Sequence, residues 1–109
     1  MKTAKLPTIF SEKEIYIKSS LGIKIKILNI GWQNIVTKHP ELKSAFNELI
    51  ETLTKSKTIR KSKIDNKIYL YYYKIKDKKY LCAVCRHYNG KGFLITAYYT
   101  YKLQGKKYE

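Results

Sequence analysis

His39, set directly before Pro40, is one of only two histidines in this 109-residue chain, the other being His87. Imidazole is the side chain best suited to moving a proton near neutral pH. The remaining polar chemistry suggests which proton that would be. The run Phe93-Leu94-Ile95-Thr96-Ala97-Tyr98-Tyr99-Thr100 is β-branched and aromatic and reads as a strand. At period two, Phe93, Ile95, Ala97 and Tyr99 form a face suited to packing. Leu94, Thr96, Tyr98 and Thr100 form the other face and put three hydroxyls in a row. Arg60 and Ser62 share a face of an earlier strand. Arg60 and Arg86 are the only arginines among 23 basic residues, and an arginine fork holds a phosphate in a way lysine matches less well.

These groups sit in a strongly basic chain of formal charge +15. Abundant Ile, Lys, Asn and Tyr are what an AT-rich genome would encode, so part of that charge is compositional. Its distribution is more telling. Residues 1–55 carry a net +4, whereas residues 56–109 carry +11 and ten of the eleven tyrosines. Cations that track a backbone and rings that stack on bases suit a single-stranded nucleic-acid surface. A solvated, lysine-rich face on a tyrosine-rich sheet would leave the same pattern.

The residues exclude several chemistries. Two-metal phosphodiester cleavage needs clustered carboxylates, and the two aspartates, Asp65 and Asp77, fall in turns. Glycine-rich phosphate loops, His-Glu-x-x-His and Gly-x-Ser-x-Gly are all missing. Cys82 and Cys85 lie three apart on a strand and so point to opposite faces, which suits buried small hydrophobes better than a metal or redox pair. No metal or other cofactor is expected. Metal-free cleavage of RNA remains open, because the 2′-hydroxyl supplies the nucleophile and the protein need only move protons and cradle phosphate oxygens. His39, placed at the start of a long helix beside unpaired amides, is the candidate acid or base, unless it simply caps that helix. His87, near a hairpin tip, is weaker. Tyr69, Tyr71 and Tyr73 share a face and could stack on bases, although packing is the commoner use of such tyrosines.

The elements that must position these residues follow from periodicity. Residues 1–13 read as a flexible arm, and residues 14–105 as one domain, the size this length allows. Glu14–Lys18 and Ile23–Leu28 alternate and flank Ser19-Ser20-Leu21-Gly22, which predicts a β-hairpin. Trp32, Ile35 and Val36 predict a short helix ending at His39-Pro40. Leu42, Ala45, Phe46, Leu49, Ile50 and Leu53 form one apolar stripe, which predicts a second helix from Pro40. Strands are expected over 58–63, 67–75, 79–88 and 91–103, joined by short turns, the last of them Asn89-Gly90. The predicted fold is α+β, with the hairpin and two helices on one face of a four-stranded antiparallel meander. No apolar run reaches the ~18 residues of a membrane span, and no signal-peptide core follows the N-terminus. A cytoplasmic protein is expected.

In this order, Trp32-x-x-Ile35, His39-Pro40-Glu41-Leu42, Ile59-Arg60-x-Ser62, a tyrosine strand and Phe93-x-Ile95-Thr96-Ala97-Tyr98 resemble phage- and mobile-element-associated members of the barnase/EndoU/colicin/RelE-like nuclease superfold. The resemblance spans about Leu28 to Tyr101. It implies N-terminal helices on a four-stranded antiparallel sheet whose open face cuts RNA without metal. Carried over by position, it points to His39, Arg60, Ser62, Thr96 and either Tyr98 or Thr100; His39, Arg60, Thr96 and Tyr98 are the expected catalytic residues. Ser62, Tyr71, Tyr73, Arg86 and Thr100 are the expected substrate contacts. The expectation is a toxin-like or phage-derived endoribonuclease acting on tRNA or mRNA, with an acidic inhibitor or antitoxin as a partner. The alternatives are a non-catalytic RNA- or DNA-binding module and a regulatory protein docking an acidic chain. The Glu14–Leu28 hairpin has no counterpart in the resemblance.

Overall fold

Isoleucines alternating with polar residues give the N-terminal hairpin its two faces. In the computed structural model, which describes residues 12–107, Glu14–Lys18 (β1) pairs antiparallel with Lys24–Leu28 (β2), placing Ile15 opposite Ile27 and Ile17 opposite Ile25. The predicted arm lies, for residues 1–11, outside the described residues. Asn29–Lys38 (α1) buries Trp32, Ile35 and Val36 and stops at His39, because the residue before a proline disfavours the helical conformation.

The predicted second helix is shorter than its stripe. Pro40–Leu42 forms a 3₁₀ turn, and the α-helix proper, Phe46–Lys55 (α2), begins only after Lys43, Ser44 and Ala45. Leu42 and Ala45 are nevertheless buried along with Phe46, Leu49 and Leu53. A turn followed by a helix can bury the same spacing as one continuous helix, so periodicity does not separate the two. Trp32 meets Phe46 edge-on at 5.5 Å and locks α1 to α2.

Four more strands follow: Thr58–Lys61 (β3), Ile68–Lys76 (β4), Lys79–Tyr88 (β5) and Lys91–Thr100 (β6). Asn89 and Gly90, with φ of +51° and +79°, close the β5–β6 turn. The predicted four-stranded meander is corrected by the sheet itself, which has seven strands in the order β1-β2-β6-β5-β4-β3 and then Lys106–Lys107 (β7), and is mixed. The hairpin does not merely pack on the sheet; β2 joins it, running parallel to β6 over Lys24–Lys26 and Lys91–Phe93. Two physical reasons explain the extension. The apolar face of the hairpin must be covered, and joining the sheet places Ile25 and Ile27 in the core beneath the helices. Gly92 permits the approach: a Cβ there would lie 2.8 Å from Ile25 Cδ1 and 2.9 Å from the Arg86 carbonyl oxygen.

Both helices cover one face, where Tyr71, Leu81, Ala83, Cys85 and Ala97 meet Leu42, Phe46, Leu49 and Leu53. The other face carries a smaller cluster of Leu70, Tyr72 and Cys82, with Tyr80, Val84, Tyr98 and Leu103 packed on it. Leu103 reaches that cluster because β6 ends at Thr100, short of the predicted Leu103, and the chain then crosses back over the sheet. The Gln104 amide donates to Tyr72 Oη at 2.9 Å, and β7 pairs with β3. Gly105, at φ +87°, allows this strap to lie flat, since a Cβ would meet the Lys61 carbonyl oxygen at 2.5 Å.

Candidate active site

The site is built where the junction between α1 and the 3₁₀ turn passes the edge of β6. Beyond Phe93, β6 has no strand partner on that side among the described residues. The His39 amide closes α1 by donating to the Ile35 carbonyl at 2.8 Å. Its imidazole is partly exposed, with Nδ1 3.6 Å from Glu41 Oε2 and the ring centroid 6.4 Å from that of Tyr98. The expected placement at the start of a long helix is corrected. His39 precedes a three-residue turn, so helix-end amides contribute little at this point.

Tyr98 projects onto the face away from the helices, where it packs with Tyr72 and Cys82. Burial pushes the Cys82 thiol up to about 11 and the Tyr72 hydroxyl up to about 12. Burial also raises Tyr98, with Cys82 adding to the effect. All three are therefore neutral near pH 7, and Tyr98 can donate a hydrogen bond but cannot serve as a base. Thr96, half-buried opposite Val84, lies two residues before Tyr98 on the same face.

The structure brings His39 near Tyr98, which shares a face of β6 with Thr96 and Thr100, and leaves Arg60, Ser62, Arg86, Tyr71 and Tyr73 elsewhere. Arg60 sits on β3, three strand spacings or roughly 14 Å across the sheet from β6, and its Nη1 reaches the Gly105 carbonyl at 3.5 Å. Ser62 accepts the Ile64 amide at 3.2 Å and, with Arg60, lines a cavity under the strap. Arg86 is committed to Asp65 at 2.9 Å. The Lys67 amide and then Arg86 hold the Asp65 carboxyl below its ordinary range. Thr100 Oγ1 accepts the Lys102 amide at 3.1 Å and turns the chain into the strap. Tyr71 cannot stack on bases, because it is fully buried beneath the helices, and Tyr73 lies half-buried on the same side.

The predicted parity of β6 also needs correction. Thr96 pairs with Val84 but Leu94 pairs with Cys85, so Ile95 is an extra residue in a bulge. Before the bulge the faces swap: Leu94 packs on the helix-side core, while Phe93 and Ile95 are exposed. The three hydroxyls of Thr96, Tyr98 and Thr100 keep one face, and Leu94 leaves it.

A second polar cluster escaped sequence reasoning. Tyr71 Oη lies 3.0 Å from Ser19 Oγ and 2.9 Å from His87 Nε2, and the His87 ring stacks on Tyr69 at 3.8 Å. Ser19 Oγ also accepts the Leu21 and Ile23 amides, which ties the hairpin turn to the sheet. Only the 52-residue separation of Ser19 from Tyr71 hides this network from local patterns.

Comparison with protein-family models, curated proteins and solved structures returned no match to this chain. No described helix is long and apolar enough to cross a membrane.

Proposed function

We propose that the chain is a small metal-independent endoribonuclease acting on tRNA or mRNA in the cytoplasm, with His39 as its proton-transfer group. The observation that carries this reading is the partly exposed His39 imidazole between Glu41 and Tyr98 at the open edge of β6. A carboxylate beside Nδ1 favours the tautomer protonated there and leaves Nε2 to take the 2′-hydroxyl proton. The freed oxygen attacks the adjacent phosphorus as the bond to the 5′-oxygen breaks; that oxygen takes a proton from water, His39 returns its proton to water, and a 2′,3′-cyclic phosphate remains. Thr96 and Tyr98 supply neutral hydroxyl donors to the non-bridging oxygens. Arg60 takes no part at this phosphate, and its contact with the Gly105 carbonyl gives it a place in holding the strap.

RNA incubated with the protein in EDTA should be cut to products ending in a 2′,3′-cyclic phosphate, and His39→Ala should abolish the cleavage while remaining folded. DNA, which lacks the nucleophile, should survive. Products bearing 5′-phosphates, or activity lost on chelation, would overturn the mechanism.

A further inference from the structure

β2 and β6 run side by side for three residue pairs and then part, β2 turning into α1 while β6 continues along the sheet. The gap opens into a groove of about 860 Å³ floored by buried Trp32 and half-buried Leu94. Its walls carry three rings with much of their surface in water: Tyr16 (50% exposed), Tyr88 (59%) and Phe93 (43%). Lys24, Lys26 and Lys91 stand among them. Rings and cations alternate at close range, with Lys24 Nζ 5.6 Å from the Tyr16 ring centre and Lys67 Nζ 6.0 Å from that of Tyr88. Glu14, which accepts the Tyr16 hydroxyl at 2.6 Å and lies 3.9 Å from Lys26, offsets one of these charges.

We infer that this groove binds single-stranded nucleic acid, as an accessory site leading to His39. Exposed aromatic planes call for flat partners and the lysines call for repeated anions, and a polynucleotide strand supplies both together. An acidic peptide would match the charge and leave the rings unmatched. A duplex keeps its base faces stacked inside and cannot offer them to these rings. Phe93 pairs with Arg86 on the face that, past the bulge, carries Thr96 and Tyr98. The distance along β6 from Phe93 to Tyr98 is roughly 15 Å, a reach of a few nucleotides. The hairpin, which has no counterpart in the resemblance, thereby acquires a role as one wall of the groove. The accessory role rests on the nuclease reading; the binding itself does not.

The test is fluorescence anisotropy of the full chain with a labelled 12-nucleotide single-stranded DNA, which the proposed chemistry cannot cut. Tyr88→Ala and Phe93→Ala should each weaken binding about 5- to 150-fold, the span of one base–ring stack. Tyr101→Ala, at a still more exposed ring on the strap, should leave affinity unchanged. Because the rings are exposed, the unfolding midpoints of the variants should match wild type, and His39→Ala should bind normally. Unchanged affinity in both folded groove variants would overturn the site, as would equal binding of a 12-base-pair duplex. Displacement by a poly-glutamate peptide of equal charge, as efficient as by unlabelled oligonucleotide, would also overturn it. If the groove variants lose binding while the wild type never cuts RNA, the nuclease reading falls and this site stands. If RNA is cut and the groove variants bind as wild type, the reverse holds.

Discussion

Tyr71 shows how a residue legible by type becomes illegible by position. Sequence parity correctly groups it with Tyr69 and Tyr73 opposite Tyr72, but nothing local says which of the two faces the helices cover. Once buried, its hydroxyl needs partners, and Ser19 and His87 supply them. Burial lowers the His87 pKa from 6.5 to about 4, so the folded ring stays neutral where an unfolded one takes a proton. Unfolding thus takes up a proton between those values, and stability should fall as pH drops from about 6.5 to 4 and flatten below. His87→Phe, which keeps the stack on Tyr69, should lose this component. Urea midpoints at pH 7.5, 6 and 4.5 check it, and parallel curves for the two proteins would mean that His87 titrates normally. The β6 bulge sets up a contrast at the same scale. Leu81→Ala, fully buried, should cost about 2–5 kcal/mol, whereas Ile95→Ala at its exposed bulge should stay within about 0.5–1 kcal/mol. Thr96→Val should keep the fold and lower RNA cleavage by roughly 10²–10³-fold, as expected for one lost donor. Denaturation curves and initial cleavage rates for the three variants check these values.

Among elements, the strap departs furthest from what local patterns suggest. Residues 101–103 continue the aromatic character of β6 and read as more strand, yet Thr100 caps a turn and Leu103 folds onto Tyr72 and Cys82. Its last strand places Lys107 opposite Arg60 and Lys106 opposite Lys61. Like charges directly opposed disfavour pairing, so the strap depends heavily on Leu103, the Tyr72–Gln104 bond and the backbone freedom of Gly105. Gly105→Ala places a Cβ against the Lys61 carbonyl oxygen in a left-handed conformation and should loosen the strap while leaving the helix-side core intact. Cys82, fully buried in the cluster that Leu103 joins, should then react faster with a thiol reagent such as DTNB. Cys85, buried on the helix side, should stay protected. Mass mapping of the labelled thiols distinguishes the two; equal labelling of both would point to global unfolding instead.

For the molecule as a whole, charge is the property read most directly from the chain. Among the described residues carboxylates pair with Lys26, Lys55 and Arg86, and the whole sequence carries a formal charge of +15. If a bound strand neutralises about five phosphates, the log–log slope of affinity against salt should be roughly −3 to −4. A flat salt dependence in the anisotropy assay would mark the charge as compositional. What depends on neighbours a few residues apart is legible in the chain: the hairpin, the end of α1 before Pro40, the Asn89-Gly90 turn, and the opposite facing of Cys82 and Cys85, together with the basic field. What depends on distant partners emerges only in the folded chain. Joining β2 to β6 requires contact between residues 67 apart, as in Lys24 with Lys91, and the choice of buried face requires knowing where the helices land. The approach of His39 to Tyr98 and the distance of Arg60 from both follow from strand order. Periodicity reports which side chains share a face, but strand order is set by which apolar surfaces must cover one another, and that competition involves the whole chain at once.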